Sequence, residues 1–110
     1  MFKNIIILAL LLPSLTAQAE PQLQETQLAE LCSSKDHWYG GLCNGYITGT
    51  VESVLEMREQ GLISEVFCFP SDMKRGTFID AIRTEISTTS TSISAFEGIL
   101  LILKDRYPCE

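Results

Sequence analysis

The sequence predicts an all-α protein, a small disulfide-bonded bundle of about four helices. Three observations predict it. Apolar residues recur at three- and four-residue steps along most of the chain. Four cysteines, an even number, fall in a short sequence that opens like an exported protein. Strand signal is scarce; only Thr77 to Ile93, enriched in isoleucine and threonine, competes with the helical reading.

The opening "MFKNIIILALLLPSLTAQAE" has Lys3 in a basic start, an apolar run Ile5 to Leu12 and the small-x-small site Ala17-Gln18-Ala19. This is the form of a secretory signal peptide, residues 1–19, with cleavage expected after Ala19. The run is too short for a bilayer, which needs roughly 20 apolar residues. Residues 20–110 then form one domain, expected to be exported and without a membrane segment. Loss of Lys3 leaves seven basic against fourteen acidic residues, a charge of -7. Nucleic acid and anionic membrane call for basic patches, so neither is an expected partner. A basic protein partner fits better, because opposite charge speeds encounter.

Element by element, Glu20 to Glu25 is polar and reads as a frayed start, and Gln27 to Leu31 as one or two helical turns. "SSKDHWYGG", Ser33 to Gly41, is turn-rich and reads as a loop. A helix over Gly45–Gln60 follows from Ile47, Val51, Val54, Leu55 and Leu62 at three- and four-residue steps, with Glu52, Glu56 and Glu59 outside and Gly61 as its stop. "CFPSDMKRG" is a connector with Pro70 at the start of the next helix, whose apolar face is Phe78, Ile79, Ile82 and Ile86. "STTSTS", Ser87 to Ser92, interrupts that helix, since these side chains compete for backbone hydrogen bonds. Ser94 and Glu97 then match a capping box. Five apolar residues in a row, Ile99 to Leu103, put the last helix at the bundle centre or against a second subunit.

Cys32, Cys43, Cys68 and Cys109 read as two disulfides; zinc would call for CxxC pairs or more than the single His37. In an up-down bundle the start of the third helix and the end of the fourth meet, which favours Cys68–Cys109 and Cys32–Cys43. Catalysis has few candidates: His37 stands beside Asp36 in a turn-rich stretch, with no strained nucleophile turn. Neither an enzyme activity nor a cofactor or metal is expected. Trp38 and Tyr39 can act as interface anchors, although a Trp beside a disulfide more often covers a core.

"LCNGYITGTVES" (Cys43, Gly45, Tyr46, Gly49), "CFP" (Cys68, Pro70) and "RYPC" (Tyr107, Pro108, Cys109) occur in that order. In these motifs and their separations the chain resembles the Tai/Rap family of immunity proteins of bacterial type VI secretion systems, from about Cys32 to Cys109. The resemblance implies a periplasmic, all-helical homodimer that binds a cognate peptidoglycan amidase effector and blocks its active site. It also implies a protruding loop that plugs the catalytic groove. The expected toxin-binding residues are Ser87, Thr88, Thr89, Ser90, Thr91 and Ser92, with exposed positions of the preceding helix, Asp80 and Arg83. The rival class is a periplasmic acid-stress chaperone of the small Hde type. Two bridges across so small a bundle oppose the acid unfolding that such a chaperone needs.

Overall fold

The computed structural model describes residues 22–87 and 93–110. The expected signal peptide and the candidate residues Thr88, Thr89, Ser90, Thr91 and Ser92 lie outside the described residues. Four helices are present: α1 (Glu25–Ser33), α2 (His37–Glu59), α3 (Arg75–Glu85) and α4 (Ala95–Arg106). Among the described residues there is no strand, only an isolated antiparallel bridge between Gln24 and Ser94. The isoleucine- and threonine-rich stretch is helical as far as Glu85, because Phe78, Ile79 and Ile82 share one face and bury it.

The expected loop over Ser33 to Gly41 is corrected at its second half. α2 begins at His37, eight residues before the expected start at Gly45. The reason is Asp36, whose carboxylate accepts the Trp38 N–H at 2.8 Å and caps the helix. Its charge also suits the positive end of the helix dipole. Gly40 and Gly41 fall within the first turns, where the cap and the covalent tie at Cys43 outweigh their low propensity. At the other end Gly61 takes φ +77°. The Leu62 N–H reaches the Met57 carbonyl at 2.9 Å and the Gly61 N–H reaches that of Arg58 at 3.0 Å, a Schellman closure.

The expected role of Pro70 is corrected too, for it does not open a helix. The Met73 N–H donates to the Pro70 carbonyl at 3.1 Å, closing a turn, and α3 starts at Arg75 after Lys74. α4 starts as its sequence predicts, with the Ser94 hydroxyl accepting the Glu97 N–H at 3.1 Å. Its apolar run divides between two environments. Ile99 and Leu103 are fully buried, whereas Leu101 is half-exposed.

The core joins all four helices and the α2–α3 connection. Leu28, Ile47, Val51, Ile82, Ile99, Leu103 and Phe67 have essentially no exposed surface. Each such side chain contributes roughly 1.5–3 kcal/mol by leaving water. Two disulfides close the chain, Cys32–Cys43 and Cys68–Cys109, each with Cα atoms 5.0 Å apart.

Candidate functional site

Four places in the fold gather the residues singled out by sequence. The first is the base of the 88–92 connection. Ser87 precedes it and donates its N–H to the Glu25 carboxylate at 3.4 Å. After it, the Ile93 carbonyl accepts the Glu25 N–H at 3.1 Å, and the Ala95 N–H donates to the Leu23 carbonyl at 2.7 Å. Glu25 is therefore no frayed terminus: it is 5 % exposed and begins α1. Sequence reasoning missed it, since a glutamate in a polar start carries no burial signal. The one available hint was Gly98, a glycine inside the most apolar helix.

The second place is the outer part of α3. Asp80 is exposed there. Arg83, expected at an exposed position, is instead half-buried and turned toward the first disulfide. Its guanidinium donates to the Cys32 carbonyl at 2.6 Å, to Asn44 Oδ1 at 2.9 Å and to Cys43 Sγ at 3.4 Å. Helical spacing puts Arg83 off the apolar face of α3, but it does not show that α2 and the end of α1 supply acceptors there. The group fixes α3 against the α1–α2 hairpin.

The third place is the outer face of α2. Trp38 is 70 % exposed, so it does not cover the core, and Tyr39 and Leu42 are also exposed. Gly45 and Gly49 follow on the side of Trp38 and Leu42, and a Cβ at either would meet nothing within 4 Å. A shallow depression runs from Gly45, Tyr46 and Gly49 to Phe96 of α4. Burial pushes the Tyr46 phenol above its usual pKa, which keeps it neutral. Beyond the glycines the face turns acidic, with Glu52 paired to Arg75 at 3.2 Å and Glu56 accepting from Gln60 at 2.7 Å.

The fourth place surrounds the two family-motif prolines, Pro70 and Pro108, and the second disulfide. Phe69 packs against Phe67, Phe78 and Tyr107 with ring centroids 4.8, 5.3 and 5.1 Å apart. The Cys68 N–H donates to the Tyr107 carbonyl at 2.8 Å, and Pro108 leads directly into Cys109. Pro70 is exposed beside this cluster.

Asp36, the neighbour of His37, is occupied as a helix cap. The one grouping with metal-ligand spacing among the described residues is Glu65, Cys68 and Cys109. Its sulfurs are joined in a disulfide and supply no thiolate.

The sequence model of the Rap1a immunity proteins matches residues 24–109, from the Gln24 bridge to the terminal disulfide. The chain belongs to the Rap1a immunity proteins. Membership implies a toxin as its cognate partner. No curated protein and no solved structure matches the chain. In this Rap1a chain the motif cysteines form the two disulfides and Tyr107 joins the aromatic cluster, whereas the motif glycines Gly45 and Gly49 face open space. No helix among the described residues is long and apolar enough to cross a membrane.

Proposed function

We propose that this chain is a periplasmic immunity protein that binds a peptidoglycan amidase of a type VI secretion system and occludes its active site. It performs no catalytic step of its own. Family membership over residues 24–109 carries the reading. The signal-peptide form of residues 1–19 and two disulfides favour an oxidising exported compartment. The segment Ser87 to Ser92 is the part that enters the toxin groove, with exposed Asp80 of α3 lining the contact, while Arg83 holds α3 against the α1–α2 hairpin. The test is peptidoglycan cleavage by candidate amidases with and without the protein. Inhibition is expected for one of them and is lost when Thr88 to Thr91 is replaced by a shorter turn. Full inhibition by that folded variant removes the segment from the mechanism.

The proposal includes a homodimer through the outer face of α2. Exposed mid-helix glycines cost about 1 kcal/mol each relative to alanine, and nothing among the described residues packs on Gly45 or Gly49. A second helix can approach closely there, with Trp38, Leu42 and Phe96 supplying apolar surface. Lys35 stands just before α2, and Glu52, Glu56 and Glu59 lie toward the other end of the helix. An antiparallel, two-fold pairing brings these opposite charges together.

A further inference from the structure

We infer that Glu25 is a positioning residue that braces both stems of the 88–92 connection, and that Gly98 is glycine to make room for it. This rests on the reading that the segment Ser87 to Ser92 contacts the toxin. One residue reaches both stems. Its carboxylate accepts the Ser87 N–H on one side, and its backbone N–H donates to Ile93 on the other. The neighbouring Leu23 carbonyl accepts from Ala95, so the segment before α1 ties down the start of α4 as well.

The carboxylate is buried, and a buried charged group is retained only where hydrogen bonds compensate its lost hydration. The bond from Ser87 is one of these, so the stem and the carboxylate hold each other in place. Gly98 shows how closely the site is built. A Cβ at that position would stand 2.8 Å from Glu25 Oε2 and 3.0 Å from its carboxyl carbon. Alanine at 98 therefore displaces the carboxylate from Ser87. By contrast Gly45 and Gly49 have open space, so the two kinds of glycine have different causes.

The brace fixes the separation and direction of the two stems, and with them the places where the connection leaves and rejoins the bundle. Stems already fixed in the free protein lose less entropy on binding. Glu25 thus acts on toxin affinity through the stems, without touching the toxin.

Amide hydrogen exchange on the free protein tests the brace directly. Glu25→Ala is expected to raise exchange at Ser87 and Ala95 by about tenfold or more, the scale of a lost hydrogen bond to a charged group. Amides of Ile47 and Val51 in α2 keep their protection. Glu25→Gln, which retains an acceptor oxygen, restores most of the protection at Ser87. Gly98→Ala reproduces the loss, but adds little in the Glu25→Ala background because the clashing group is gone. A uniform rise across α2, or unchanged exchange at Ser87, overturns the brace. If Glu25→Ala does not fold, Gly98→Ala and Glu25→Gln give the same decision. The second arm measures binding to an amidase that the wild-type protein inhibits, where affinity is expected to follow Ser87 protection across the variants. The expected exchange results with no inhibited amidase would sink the proposed function alone; altered exchange with unchanged affinity would sink the link between them.

Discussion

The two disulfides sit in different surroundings. Phe67 and Phe69 flank Cys68, Tyr107 stands two residues before Cys109, and Phe69 packs against Phe67, Phe78 and Tyr107. Cys32–Cys43 is buried in the core and also meets a polar group, with the Arg83 guanidinium reaching one sulfur and the carbonyl of the other cysteine. At the aromatic end the bridge adds a covalent tie to packing that already specifies the geometry. At the polar end apolar packing is shared with directed hydrogen bonds, and those bonds fix where α3 stands. The same cross-link can thus anchor a terminus in one place and organise a surface in another.

Removing each bridge in turn separates the two ends most clearly. The chain-entropy relation gives about 4 kcal/mol for Cys68–Cys109, with its 41-residue separation, and about 3 kcal/mol for Cys32–Cys43, with 11. Paired serine substitutions followed by urea unfolding measure both. A larger loss at Cys32–Cys43 would show that the polar cluster, rather than loop length, dominates.

A finer probe of the polar end is Arg83 itself. Arg83→Ala is expected to destabilise by about 1.5–3 kcal/mol, the range for hydrogen bonds to a charged group. Arg83→Lys recovers only part of that, since an ammonium cannot spread its donors as the planar fork does. Equal stability of all three proteins by thermal unfolding would leave the cluster without an energetic role.

The mildest change, away from both bridges, has the opposite sign. Gly45→Ala and Gly49→Ala each stabilise the isolated helix by up to about 1 kcal/mol, because the added methyl meets no neighbour. In the proposed dimer the same methyl separates the two helices. Sedimentation across a concentration series is therefore expected to show weaker association despite higher monomer stability. Unchanged association removes this face from the interface.

Much of the bundle was legible because its signals are local. Ile47, Val51 and Val54 announce the inward face of α2, Gly61 its end and Ser94 the start of α4. The start of α2 was not legible, since Gly40 and Gly41 suggest a loop while one aspartate cap overrules them. Nor was Arg83, whose acceptors come from residues about 40 and 51 positions away. The candidate segment could be named from its serines and threonines, but its brace could not.

Residue type and spacing along the chain were enough for the helical class, the expectation of export, the even cysteine set and the motifs that carry the family resemblance. Three features needed the folded molecule: Arg83 turning inward, Trp38 facing out, and Glu25 joining both stems beside Gly98. These depend on which groups meet across long separations, where a buried charge takes its place only if distant partners satisfy it.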